Sequence, residues 1–570
     1  MSPQTRRSLY WDLLPWEKER YTKSSTHYLY PDRDLIASLL RLYFDIIHPT
    51  VPILHRPSFE KSVADGLHLT DMEFGGLLLS VLAAASRYSD DPRVFVEGDA
   101  SLSSGWKWAK KVHIARSLFE PTIYELQMYY LMAYFALGTS FPQVAGLYLG
   151  MGIHFLQLRR EYRQKRKGRE LDFEEELGKH AYFLVLSSRC HLRPSHELLS
   201  RCYVSLDRMM SVFHGRPTTF RNERYDVDLA LEVDDEYWDR GFVQPLGTPS
   251  LGSYFVCHSQ LCEILGDAMR RLYGSKKTKV ALGWSGPEWE QRTVAELDSA
   301  INDFVNSIPP HLRWNPDDPP QGAFFDQSAT LYITYHLVQI TIHRPFIHRM
   351  STLAAPSLSI CTRAARSILH TADIWLKKLH RVPLPNVIDT VFLSGLILAL
   401  SAFGTKRAGL PIEMNKDLSQ VETALKILKI SEVRWQPAGR RWELLRDLRT
   451  LDPMKLMPHD SLNDDKMGRY SSAVHPQPQQ RFQPSEDFSS LSLSLESGLQ
   501  PGVSIEQLLA DTSPADAMDG ILDEELMSMW MNVPADVTNV DHWDAYFGDR
   551  NGVDAGQPPM TLRLSNLGWR

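Results

Sequence analysis

The chain has 570 residues, 43% of them hydrophobic and 23% charged, with five cysteines and a net charge of −7. That length allows roughly two to four domains, and the composition is that of an ordinary globular protein. An odd, irregularly spaced cysteine set excludes a secreted disulfide framework and fits a reducing interior.

The charge is uneven. Residues 456–570 hold 18 Asp/Glu and 6 Lys/Arg, a net −12, so the rest of the chain carries +5. The opening "MSPQTRRSLYWDLLPWEKER" lacks a signal-peptide apolar core, and no run reaches the ~18 apolar residues of a membrane span. Residues 1–30, ahead of the helical patterns, are read as an N-terminal linker remnant.

From Pro31 to about Asp452, long helical patterns alternate with short Pro/Gly punctuation, which predicts an all-α fold and a helical domain over residues 31–455. "DLIASLLRLYFDIIHP" places Leu35, Leu39, Leu42 and Ile46 on one helix face and ends at Pro49. "DQSATLYITYHLVQITIHRPF" does the same with Leu331, Tyr335, Val338 and Ile342, ending at Pro345, because proline disfavours helical conformation in the residue before it. "VFLSGLILALSAF" (Val391–Phe403) is too short to span a membrane and reads as a buried helix.

The triplet His-Arg-Pro occurs twice beside an aromatic residue, as His55, Arg56, Pro57 and as His343, Arg344, Pro345. Each proline predicts a corner, where the basic residues can bond the last free carbonyls of a helix or a neighbouring chain. A bare His-Arg pair lacks a positioned nucleophile or carboxylate partner nearby in sequence, so both copies read as structural.

Further motifs point to a family. "LYFDIIHPTVPILHRPSF" followed by "GLLLSVLAAASRYSDDPRV" resembles the opening of the fungal transcription-factor regulatory domain of the xylanolytic-activator type. "YVSLDRMMSVFHGRPTTF", with Asp207, Arg208, Gly215, Arg216 and Pro217, is similar to its aspartate-arginine helix and Gly-Arg-Pro turn. "IPPHLRW", "YHLVQITIHRPF" and "ISEVRWQPAGRRWELLRDL" resemble its downstream half. The resemblance implies an all-helical regulatory domain in a nuclear transcription factor, with promoter DNA as partner, and structural His-Arg-Pro corners.

Family members carry an N-terminal six-cysteine zinc cluster with a basic helix that contacts DNA. This sequence has no cysteine before Cys190, so zinc and DNA binding are implied by the family only and fall on no residue here. That leaves open a second reading, a DNA-binding-deficient co-regulator or scaffold acting through a protein partner. Family members often dimerise through a coiled coil after the cluster, which allows a dimer. A further departure is "LVLSSRCHLRPSHELLSRC" (Leu184–Cys202), which separates "HAYF" from "YVSLDR". It reads as an insertion, such as an unremoved intron.

Arg159, Arg160, Arg163, Lys165, Arg166, Lys167 and Arg169 form a basic cluster, a candidate nuclear import signal or a solvated loop neutralised by the following "DFEEE". Cys257 and Cys262, five positions apart on a helix, point about 140° away from each other and read as core. "VDDEYWD" offers Asp234, Asp235 and Asp239 to a magnesium-dependent helical enzyme, the remote alternative, but no second acidic motif accompanies it. No nucleophile elbow, phosphate loop or dinucleotide fingerprint occurs either, so the chain is expected not to be an enzyme.

Residues 456–503 are Pro/Ser/Gln-rich and read as a disordered linker. Residues 504–570 alternate acidic with large apolar residues, as a disordered activation segment would, to recruit transcription machinery or coactivators. No Lys or Arg lies between Arg481 and Arg550. Leu522, Leu526, Met529 and Val533 fall on one helical face with Trp530 beside it; Trp543, Tyr546 and Phe547 fall at i, i+3, i+4. The alternative is a tail helix that docks on its own domain.

Overall fold

Helix formers punctuated by proline and glycine leave little choice but helix, and a computed structural model of the chain bears this out. It describes residues 28–96, 101–113, 122–158, 183–219, 232–240, 243–347, 352–407, 411–450 and 542–543, among which there is no β-strand. The α-helices are α1 (Arg33–Leu42), α2 (Arg56–Ala64), α3 (Leu67–Thr70), α4 (Met72–Ser86), α5 (Trp106–Ala109), α6 (Ile123–Ala136), α7 (Val144–Leu158), α8 (Phe183–His214), α9 (Gly252–Leu272), α10 (Lys276–Ala281), α11 (Pro287–Ser307), α12 (Ala323–His343), α13 (Ala354–Leu379), α14 (Pro385–Arg407), α15 (Pro411–Ser431) and α16 (Gln436–Thr450). Local chemistry sets their starts. Asp71 accepts the amides of Glu73 and Phe74 to open α4, and Thr122 and Glu125 form a reciprocal capping box on α6, each satisfying amides that have no partner within the helix.

Neighbours in sequence pack as neighbours in space. In the first half α4 lies against α1, α3, α5 and α6, and α6 continues to α7 and α8; in the second, α12, α13, α14, α15 and α16 follow one another. One continuous core joins the halves. Gln327 of α12 donates to the carbonyls of Pro49 (2.8 Å) and Leu251 (3.0 Å). Arg87, 1% exposed, donates to the carbonyls of Leu102 and Arg434 at 3.1 Å and lies over the Phe135 ring at 4.4 Å. Trp435 is fully buried; it gives its indole N–H to the Pro383 carbonyl, and its ring fills the space that a side chain at Gly138 would occupy. Burial pushes the Arg87 guanidinium down to about 9, helped by the like charge of Arg434. It remains a cation at neutral pH, which the aromatic faces around it favour.

Two helices depart from the sequence expectation in register. The first widens into a π-turn over Tyr43–Ile47, so Tyr43, Phe44 and Ile47 take the inner positions while Leu42 and Ile46 are only partly buried. The extra residue in the turn rotates the face inward by about one position. The second, α12, buries Leu331, Val338 and Ile342 as expected, but also Gln327, Ser328, Thr330 and Thr334. It lies among α9, α11, α13 and α14, so it has no solvent face to mark. The Val391–Phe403 stretch lies in α14, where Pro385–Phe403 is long and apolar enough to cross a membrane, contrary to the expectation from length, but is 89% buried within the fold.

Candidate functional site

The first His-Arg-Pro triplet opens a helix. His55 is the N-cap of α2 with extended backbone (φ −90°, ψ 109°), and Pro57 sits in the first turn, where the missing amide costs no hydrogen bond. His55 Nε2 lies 3.0 Å from the Asp235 carbonyl; a carbonyl can only accept, so Nε2 donates there, while Nδ1 pairs with the Ser58 hydroxyl at 2.7 Å. The ring stacks on Trp238, centroids 4.6 Å apart at 19°.

The Asp235 carboxylate accepts the Arg56 amide at 2.7 Å and lies 3.4 Å from His48 Nε2. Burial opposes ionisation of Asp235, but the hydrogen bond and charge of His48, then the Arg56 amide and the charge of His55, outweigh it and hold the carboxyl below its ordinary value. Ser58 and His55 thus form a hydroxyl-imidazole pair backed by a backbone carbonyl where an acid-base triad needs a carboxylate. What the arrangement does is tie the start of α2 to the segment at 235–238.

The second triplet closes a helix. His343 is the last residue of α12, and Arg344–Phe346 continue as a 3-10 turn. The imidazole is 4% exposed and meets Ser357 Oγ at 3.2 Å and Asp298 Oδ1 at 3.1 Å. At the end of α12 the Arg344 amide donates to the Ile340 carbonyl, which the Cys361 thiol also approaches at 3.9 Å, and the Thr341 carbonyl accepts from the Tyr273 hydroxyl at 2.8 Å. Both corners therefore have carboxylate partners, Asp235 and Asp298. Neither is near in sequence, which is why the motif looked unpartnered there.

Asp207 and Arg208 are 4% and 1% exposed. Asp207 accepts the Thr219 amide at 2.8 Å, folding the segment after Gly215, Arg216 and Pro217 back onto α8. Gly215 has φ 61°, a left-handed conformation that glycine adopts without strain. Arg208 and Arg201, two turns apart, pair with Glu263 of α9 at 3.0 and 3.6 Å. A Cβ at Gly266 would come within 2.7 Å of Arg208 Nε, so the bare backbone of α9 is what admits the guanidinium. Between α7 and the end of α8 lies a cleft of about 110 Å³, bounded by Gln143, Gly146, Met210, His214, Arg216 and Thr219 among others.

The segment Leu184–Cys202, expected as an insertion, is helical throughout and continuous with the rest of α8, although Pro194 falls inside it. Leu199, Cys202 and the following Tyr203 are buried in the core, and Arg201 makes the Glu263 contact.

The acidic motif at 234–239 is spent on structure. Asp234 accepts from Ser250 Oγ (2.9 Å), the Leu251 amide (2.7 Å) and Gln244 Nε2 (3.1 Å), and Asp235 belongs to the first corner. The Asp239 side chain lies outside the described residues. Cys202, Cys257, Cys262 and Cys361 are free and buried. Burial pushes the thiols of Cys257 and Cys262 up to about 11 and those of Cys202 and Cys361 further. Among the described residues no three His, Cys, Asp or Glu side chains converge in a way that could hold a metal.

The basic cluster Arg159, Arg160, Arg163, Lys165, Arg166, Lys167 and Arg169 lies outside the described residues, as do Leu522, Leu526, Met529, Trp530, Val533, Tyr546 and Phe547. Trp543 does not. It is 1% exposed, packed into the core, with its ring edge-on to Phe392 at 5.5 Å and 78°.

Residues 40–282 match the family profile described as the fungal specific transcription factor domain. The chain is 22% identical over 333 residues to cutinase transcription factor 1 alpha of Fusarium vanettenii, covering 56% of this chain and 32% of that protein. It is 27% identical over 179 residues to activator of stress genes 1 of Saccharomyces cerevisiae, covering 30% and 18%. To an uncharacterized transcriptional regulatory protein of Schizosaccharomyces pombe it is 21% identical over 370 residues, covering 60% and 42%. The matched stretches thus span less than half the length of each of these relatives, and no solved structure matches the chain. Residues 40–282, which carry the first corner and the Asp207–Arg208 helix, are thus similar to the fungal specific transcription factor domain.

Proposed function

We propose that the chain is the regulatory and activating part of a nuclear transcription regulator of the zinc-cluster type. The observation that carries this reading is the family match over residues 40–282, which falls on helices that share one core with α11–α16. In this reading the helical body sets when the protein acts, and the acidic-aromatic tail recruits the transcription machinery. Zinc and promoter contacts belong to a module outside the described residues.

The test fuses residues 504–570, and separately the whole chain, to a heterologous DNA-binding module upstream of a reporter. Both fusions are expected to raise transcription several-fold over the module alone. If both are inert, the activating role is the wrong assignment. Import is tested separately: replacing Arg163, Lys165, Arg166 and Lys167 with alanine is expected to lower nuclear accumulation, and unchanged accumulation removes that role from the cluster.

A further inference from the structure

We propose that Trp543 is an anchor that seats the acidic tail on α14, tying residues 451–541 to the helical body at both ends, and that a partner reading the tail must compete with this seat. The inference rests on the activating role proposed for the tail. Trp543 follows the end of α16 by the whole of residues 451–542, yet its side chain is as buried as the centre of the fold, 1% exposed. Its partner Phe392 is also 1% exposed and lies in α14. The ring edge of one meets the face of the other, the favoured aromatic arrangement.

Burial changes from one residue to the next. His542 is exposed while Trp543 is buried, and acidic residues stand on either side at Asp541 and Asp544. A tryptophan removes about 150–250 Å² from water on burial, enough for a lone side chain to hold a segment reversibly. Because both ends belong to one chain, the seat sees the indole at an effective concentration on the order of millimolar. A partner that takes Trp543, Tyr546 and Phe547 as one helical face must overcome that before it gains any contact. The body would thereby control the tail through occupancy of one side-chain seat.

Hydrogen exchange on the full chain reads the anchor directly. In the unmodified protein the amides around Phe392 and at 542–543 are expected to be protected; Trp543→Ala should speed exchange at both places by tenfold or more, with Trp543→Phe intermediate. Unprotected 542–543 amides, or unchanged exchange around Phe392 in Trp543→Ala, would overturn the anchor.

Competition is read with Phe392→Leu, which leaves every tail residue in place. Fused to a heterologous DNA-binding module, this full chain should drive the reporter several-fold above the unmodified chain. Equal or lower output, in a variant whose 542–543 protection is lost, would overturn the competition. An inert isolated 504–570 fusion would instead remove the activating role, and the exchange result would stand on its own.

Discussion

The same three residues do opposite things at two places in this fold. His55-Arg56-Pro57 begins a helix at a half-exposed edge, with Arg56 44% exposed in its side chain, whereas His343-Arg344-Pro345 ends one inside the core, with His343 4% exposed. What the copies share is a backbone corner and a carboxylate that arrives from elsewhere: Asp235, about half a domain away in sequence, and Asp298, on α11. The comparison teaches that the triplet encodes a turn, and that burial decides how much the turn is worth.

Removing the buried imidazole sharpens the contrast most. His343→Ala leaves the buried Ser357 hydroxyl and the Asp298 carboxylate without their partner and opens a gap in the core, a cost of about 3 kcal/mol. Chemical denaturation should show it as a lower midpoint at an unchanged slope.

Acid is the next lever. His258 on α9, which packs against α12, is 8% exposed, and burial pushes it down to about 4. The unfolded chain takes up that proton near the ordinary value of about 6.5 while the folded chain does not, so stability falls as pH drops through the window between them. By pH 4.5 the loss from this one group is about 2–3 kcal/mol, and His258→Gln should flatten the dependence measured by circular dichroism.

At the first corner the sign is the same but the group differs. Asp235 is held below its ordinary value, so it contributes stability above the unfolded carboxylate value and loses it as pH falls through its folded one. Asp235→Asn should cost about 1 kcal/mol at pH 7 and remove that acid-dependent share. His55→Ala, which loses a half-exposed stack and two hydrogen bonds, should likewise cost about 1 kcal/mol.

Smallest of all is Pro57→Ala. The proline's stiffness is compatible with the first turn of α2, so its loss costs about 0.5 kcal/mol through the unfolded chain alone. A first-corner variant that proved as damaging as His343→Ala would break the comparison.

Much of this fold could be read from the sequence. Helix content and the corners at Pro57 and Pro345 follow from local chemistry, and the Asp207–Arg208 helix with its Gly215 turn was expected from the family resemblance. The register at Tyr43–Ile47 was not legible, because a π-turn is an accommodation to packing that leaves no mark in apolar spacing.

Nor were the partners of the corners. His55 meets residues 180 positions away and His343 one 45 positions away, and periodicity carries no information across such distances. The carboxylates at 234 and 235 looked like a metal motif because their hydrogen-bond donors, Ser250, the Leu251 amide, the Arg56 amide and His48, come from other segments. Trp543 was read as part of an exposed face, with docking on its own domain as the alternative. Its burial against Phe392 depends on a surface of α14 that only the folded body creates.

The most direct test of the corners as structure takes one variant and two readings. His343→Ala in the full chain, fused to a heterologous DNA-binding module, is measured for unfolding free energy and for reporter output per folded molecule. A drop of about 3 kcal/mol with unchanged output per folded molecule is the predicted result. Unchanged stability with lost output would mean that His343 acts on a ligand or partner, and would contradict the account.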